Sequence, residues 1–401
     1  MSQTRLAVLF NRIGPYHYAR IRAASSSFRL TAVEYSNRDS IYAWDETQGA
    51  DGFDRVTLFK GSRVESLPVR QVRCAVRDAL SWINPEVVAI PGWADCASWA
   101  ALRWCLSHRV PAIAMSETTA WDGPRQFHRE WVKRQLVSGF QAGLVGGNLH
   151  RKYLATLGVP AENAFLGYDA VDNEYFTTEV AKIRGQKSEV RMKSGLPEHF
   201  FLASARFVEN KNLNRLLKAY HRYRQLAKSE AVWDLVLLGD GPLRDSLCSL
   251  RSTLDLEPHV LMPGFKQYHD LPAYYGLASA FVHASTTEPW GLVVNEAMAA
   301  GLPVLISNRC GCAYDLVQEG HNGFTFDPYD VEQLARLMYR LTLTPKHQLD
   351  QLGTNSSEAI KKWGLARFEE GLSHAVRKAM EVGPRQGSWL RTLLLEALVR
   401  S

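Results

Sequence analysis

Two carboxylates bracket the stretch Glu288-Pro289-Trp290-Gly291-Leu292-Val293-Val294-Asn295-Glu296. The residues after Gly291 read as a helix that is apolar on nearly every side and therefore buried. An unpartnered carboxylate inside such a helix costs several kcal/mol, so Glu296 needs a partner or a ligand. Glu288 stands just before the helix, at the carboxyl end of a strand. Gly291 allows close approach, and the first helical amides make an anion site. A structural Glu paired with an Arg would satisfy the same pattern. A second group is Ser204-Ala205-Arg206-Phe207-Val208-Glu209-Asn210-Lys211-Asn212, where a strand turns into a helix. Arg206 and Lys211 can both reach past the strand end, and two cations against a diphosphate give charge-assisted hydrogen bonds. A solvated turn is the alternative. A third turn, Gly239-Asp240-Gly241-Pro242, lacks the full spacing of a dinucleotide fingerprint and reads as a tight strand–helix connection.

The elements that must position these residues alternate along the chain. Strands are predicted at Arg5–Phe10, Leu30–Tyr35, Val87–Ile90, Ala112–Met115 and Leu144–Gly146. Helices are predicted at Ser66–Ile83, Asp95–Ser107, Arg125–Val137 and Leu149–Leu157. Residues from about 169 to 198 are polar and without period, and read as a linker at 176–198. A second alternation follows, with strands at Phe200–Ser204, Asp234–Leu238, His259–Met262, Ala280–His283, Pro303–Ser307 and Gly323–Phe326. The predicted fold is α/β: two Rossmann-like, doubly wound domains facing across a cleft, followed by C-terminal helices. The expected boundaries are 1–175, 199–362, and a helical segment 363–401 returning to the first domain.

Composition narrows the function. The chain has 401 residues, 22% charged and 46% hydrophobic, with a net charge of +6. This is an ordinary globular composition, not a disordered one. No stripe of basic and aromatic residues repeats, which argues against a nucleic-acid partner. No apolar run approaches the roughly 20 residues of a membrane span, and the first residues do not form a signal peptide. The six cysteines are scattered and only Cys310 and Cys312 are close, so the expected compartment is reducing and cytoplasmic.

Together the second-half motifs resemble the GT-B retaining glycosyltransferases of family 4. The resemblance covers about Phe200 to Pro328. It takes in Glu288 and Glu296 as the family's E-x7-E element, Arg206 with Lys211, the Gly239–Pro242 turn, Pro263-Gly264-Phe265, and Gly320-His321-Asn322-Gly323-Phe324. It implies a nucleotide-diphosphate sugar as donor, UDP being the commonest nucleotide of the family. Glu296 would take the ribose hydroxyls, and Glu288 would face the sugar. Gly291, Leu292 and Val293 would meet sugar or phosphate with their amides. Arg206 and Lys211 would neutralise the diphosphate, and Gly264 and Phe265 would hold the base. Many transferases hold a metal with Asp-x-Asp. This chain has no such triplet, so no metal or other cofactor is expected.

By the same resemblance the first domain carries the acceptor: a glycan, a lipid-linked glycan or a small-molecule glycoside. Gly14 would approach the donor phosphates and His17 the reacting sugar, both in a loop at Asn11–Arg20. Glu117 stands near where many relatives have a catalytic His. It would take the acceptor proton, assist it, or cap the next helix. Trp93, at a strand end, would stack on a sugar or an apolar acceptor. Arg125, Arg129, Lys133 and Arg134, with Trp131 beside them, suggest peripheral contact with the cytoplasmic membrane face or a solvated helix face. Two other readings use the same residues: a non-catalytic nucleotide-sugar-binding protein, and a sugar-nucleotide epimerase.

Overall fold

The computed structural model describes residues 3–38, 44, 45, 47, 49–123, 125–227, 232–385 and 388–398. The chain divides into two compact units. One is Met1–Val171 with Gly364–Ser401, the other Asp172–Trp363.

The first unit is built on strands β1 (Arg5–Phe10), β2 (Arg29–Ser36), β3 (Asp54–Phe59), β4 (Val87–Pro91), β5 (Ala112–Ser116), β6 (Ala142–Val145) and β7 (Ala164–Leu166). They form one parallel sheet in the order β3-β2-β1-β4-β5-β6-β7. Successive residues of β1 serve opposite faces. Ala7 and Leu9 enter one core, Leu6, Val8 and Phe10 the other. A strand buried on both faces must be apolar throughout, which is why β1 reads as a continuous hydrophobic run.

The second unit carries β8 (Phe200–Ser204), β9 (Asp234–Leu238), β10 (Val260–Gly264), β11 (Ala280–His283), β12 (Val304–Ser307) and β13 (Gly323–Phe326). Its parallel sheet has the order β10-β9-β8-β11-β12-β13. In each sheet the strand order reverses at one place: between β1 and β4, and between β8 and β11. Loops leaving such a pair diverge to opposite sides, so the crevice at their carboxyl ends is the natural ligand position of this architecture.

Four expectations change. The segment read as a linker is helical, at Asn173–Gly185 and Lys187–Ser194. Asp172 caps the first helix by accepting from the Tyr175 amide at 3.0 Å. Only Phe176 and Val180 of that helix are buried, too few to show a period among charged neighbours. Arg184 anchors it to the carbonyls of Gly276 and Ala300 at 3.2 and 2.7 Å. The Asn11–Arg20 loop ends early, because a helix opens at Pro15 and runs to Ala24. Proline is suited to that first position because its missing amide would have no partner there. Strands β3 and β7 were not expected. The first is a half-polar edge strand, the second only three residues long.

The helices after Gly364 belong to the first unit. Leu365–Val382 packs on its sheet and on helix Pro15–Ala24. Trp389–Leu398 lies against helices Cys96–His108 and Phe127–Val137. Arg391 ties the last helix down through the Gln135 carbonyl at 2.7 Å and the Ser138 hydroxyl at 2.8 Å.

Candidate functional site

The loops that follow β8 and β11 are laced together at the switch point of the second unit. The Asn210 carbonyl accepts from the Thr286 amide at 2.9 Å, and its side chain donates to the Thr287 carbonyl at 3.0 Å. Buried Asn212 donates to the carbonyls of Ala284 and Pro328 at 3.0 and 2.8 Å. The Gly239 turn supports the same loop from below. With φ +128° it passes so close to Ala205 that a Cβ would sit 1.8 Å from its carbonyl oxygen. The Gly-Asp-Gly turn is therefore a packing device, in keeping with the tight strand–helix connection read from the sequence.

Lys211 reaches across and forms an ion pair with Glu288. Glu288 also accepts from His283 Nε2 at 2.8 Å and from the Ser285 hydroxyl at 3.1 Å. Burial works against ionisation of this carboxyl. The positive charge of Lys211 and the hydrogen bond and charge of His283 outweigh it and hold its pKa well below the ordinary carboxylate range. Lys211 is thus engaged inside the protein, not displayed on a solvated turn. Arg206 lies on the same loop and is half-buried.

Backbone bonds fix the segment after Glu288. Its amide donates to the Arg309 carbonyl at 3.2 Å, and its carbonyl accepts from Gly311 at 2.9 Å. Gly291, at φ +103°, turns the chain into helix Leu292–Ala299. The amides of Leu292 and Val293 are the first of that helix and have no carbonyl one turn earlier to meet, so they carry its positive end. Asn295 is explained structurally: its side-chain oxygen accepts from the buried Trp290 indole at 2.9 Å. Glu296 is wholly buried, and the Tyr275 hydroxyl donates to it at 2.6 Å. Burial first, then the Glu296 charge, pushes the Tyr275 hydroxyl well above its usual range, so Tyr275 stays a donor. Gly264 and Phe265 stand at the carboxyl end of edge strand β10, both half-buried. The sequence reading missed His283, Ser285 and Tyr275. A histidine closing an apolar strand just ahead of a carboxylate was the available signal.

In the first unit, Gly14 and His17 follow β1, at that unit's own switch point. Buried Glu34 steadies this turn by accepting from the Ile13 amide at 3.1 Å and from Arg55 at 2.8 Å. Gly14 caps helix Pro15–Ala24 with a negative φ, and a Cβ there would meet nothing within 4 Å. His17 Nδ1 accepts from the Gly14 amide at 3.4 Å, which leaves Nε2 as the protonated nitrogen. Burial, then the neighbouring Arg20 charge, lowers its pKa to about 3, so the ring is neutral at pH 7.

Glu117 is exposed after β5 and does not cap a helix. The next helix starts at Phe127 with Gln126 as its cap. Trp93 is buried in the core, and its carbonyl accepts from the Trp99 indole at 2.8 Å, so it is not a sugar platform. Arg125 and Lys133 both pair with Glu130 at 2.9 Å, and Arg125 also lies over the Tyr153 ring.

Residues 186–358 match the family model described as glycosyl transferases group 1. The second unit is a group 1 glycosyl transferase domain. Sulfoquinovosyl transferase SQD2 of Arabidopsis thaliana is 29% identical over 216 residues, 53% of this chain and 39% of that protein. Alpha-monoglucosyldiacylglycerol synthase of Acholeplasma laidlawii is 29% identical over 177 residues, 43% of this chain and 42% of that protein. The chain thus spans less than half the length of these curated relatives. Sucrose-phosphate synthase of Thermosynechococcus elongatus shares the fold at a TM-score of 0.72 and 16% identity, over 94% of this chain and 99% of that one. HepE of Anabaena, solved in complex with UDP and glucose, does so at 0.70 and 17%, over 93% and 99%. The two Rossmann-like units are those of a GT-B fold.

The Lys211–Glu288 pair makes this domain's stability pH-dependent. Because the folded pKa of Glu288 is depressed, its contribution is present above about 4.5, the ordinary value, and is lost as pH falls below it. Lys211→Met should cost the domain about 3 kcal/mol at pH 7 and weaken that acid dependence. Urea unfolding at pH 7 and pH 4 measures both, and equal stability of the two proteins at pH 7 contradicts the pairing.

Proposed function

We propose that this protein is a retaining, metal-independent glycosyltransferase that moves a sugar from a nucleotide-diphosphate sugar to a hydroxyl acceptor. The observation that carries the reading is the convergence at the β8/β11 switch point. There a buried carboxylate paired with a lysine stands just before the start of a helix, and an arginine lies on the lysine's loop. Glycosyl transfer builds positive charge at the sugar and negative charge on the departing diphosphate. Arg206 and Lys211 meet the phosphates, joined by the amides of Leu292 and Val293. Lys211 carries several donors and can keep Glu288 while binding phosphate. Glu288 faces the sugar. Gly264 and Phe265 hold the base. Glu296 takes the ribose hydroxyls, a carboxylate being able to accept these bonds as well as that of Tyr275.

The UDP-bearing HepE complexes support UDP as the nucleotide. Retention follows the family resemblance, with attack from the face that the diphosphate leaves. Metal independence would rest on a different source of charge: Arg206, Lys211 and a helix terminus would supply the stabilisation for which other transferases use a metal ion. Arg206→Ala should lower turnover of labelled donor by about 100-fold, and wild-type turnover should survive excess EDTA. Activity abolished by EDTA and restored by manganese contradicts the metal-free reading.

The first unit supplies the acceptor side. Gly14 leaves room for the donor phosphates. His17, neutral and with Nε2–H available, donates to the reacting sugar. Glu117 assists the acceptor hydroxyl. Glu117→Gln should lose turnover while nucleotide affinity, read by calorimetry, stays unchanged; unaltered turnover removes Glu117 from the reaction.

The face of helix Phe127–Val137 that bears Phe127 and Trp131, with Arg129 and Arg134, is exposed. It would rest on an anionic bilayer, with Arg125 and Lys133 committed to Glu130. Phe127→Ser with Trp131→Ser should reduce co-sedimentation with phosphatidylglycerol vesicles. Equal sedimentation of variant and wild type counts against membrane contact at this helix.

A further inference from the structure

The hydrogen bonds to Glu288 are unevenly divided. Lys211, His283 and Ser285 all donate to the same oxygen, Oε2. The other oxygen, Oε1, accepts no hydrogen bond among the described residues. A carboxylate turns about its last bond easily, and one bound by a single flexible lysine would present either oxygen. His283 removes that freedom. It is the last residue of β11, buried, its ring parallel to Phe281 at 6.4 Å between centroids. It therefore sits on the most rigid of the elements that touch Glu288, whereas Lys211 has a long stem and Ser285 lies in a loop. Because an ionised carboxylate only accepts, His283 Nε2 must carry the hydrogen in this contact.

We infer that His283 is a positioning residue that locks the Glu288 carboxylate through Oε2 and so offers Oε1 alone to one hydroxyl of the donor sugar. The inference rests on the proposed donor reading. It gives Glu288 the role of a fixed single acceptor, which discriminates a sugar bearing that hydroxyl from one lacking it. The loss of a hydrogen bond to a charged group typically lowers affinity about tenfold. His283 acts through Glu288, so its effect belongs to the sugar half of the donor and not to the nucleotide half.

The test titrates wild type, His283→Leu, His283→Asn and His283→Gln with UDP, UDP-glucose, UDP-galactose, UDP-N-acetylglucosamine and GDP-mannose by calorimetry, together with the pH profile of turnover. The expected result is unchanged affinity for the free nucleotide and about tenfold weaker binding of the sugar nucleotide that the wild type prefers. His283→Gln, whose amide can still donate to Oε2, should recover most of the loss. The acid limb of the profile should move to higher pH in His283→Leu, because a group that favours ionised Glu288 has been removed. The shorter side chain of His283→Asn cannot reach Oε2 but remains polar, so it carries the test if the leucine variant does not fold. A variant without the Oε2 contact whose preference for sugar nucleotide over nucleotide equals that of the wild type overturns the inference. Failure of every sugar nucleotide to bind the wild type overturns the donor reading instead.

Discussion

The contact between Lys211 and Glu288 is the interaction on which the second unit's site depends. Two charges withdrawn from water cost more than their attraction returns unless the geometry and further hydrogen bonds are good. Here His283 and Ser285 supply those bonds, and the loops carrying the two charges are already laced by Asn210 and Asn212. The pair joins the loop after β8 to the loop after β11. It fastens Arg206's loop to the segment that leads into the helix start at Leu292. A buried ion pair is weak evidence for stability on its own, but as a fastener of two divergent loops it has a definite role.

Those loops diverge because of the sheet. Strand order reverses between β8 and β11, so the helices that follow them cover opposite faces, and the backbone at the carboxyl ends is left open. The first unit repeats the arrangement at β1 and β4. Its loop is steadied differently, by Glu34, which gathers the Ile13 amide, Arg55 and Thr57 on one buried carboxylate. The same topology thus sets out two loop pairs. In one the charge stays beside the ligand position. In the other it is tucked beneath a turn that carries Gly14 and a neutral, half-buried His17.

The sequence was most readable where burial is complete. Strands closed in on both faces, such as β8, β11 and β13, are short apolar runs that could hardly be anything else, and the predicted ranges for these match. Reading failed where an element buries little. Helix Asn173–Gly185 commits only two side chains to the interior, and β3 is half-polar because it lies at a sheet edge. Site residues followed a similar rule. Glu288, Arg206 and Lys211 are legible because charges beside glycine and strand ends are conspicuous. That Glu296 needed a partner could be read as well; that the partner is Tyr275 could not, since the contact joins separate elements. His283 was hidden for the opposite reason. It sits at the end of an apolar strand, where one histidine looks like packing until its contact with Glu288 is seen.

A sugar nucleotide gripped by its diphosphate between the loop after β8 and the helix after Gly291 would hold both segments still. Amide hydrogen exchange on the full chain, with and without a saturating sugar nucleotide, reads it most directly. Exchange should slow in residues 205–212 and 286–294, with the amides of Leu292 and Val293 among the most protected. A sugar nucleotide that binds while leaving both segments exchanging as in the free protein would contradict it.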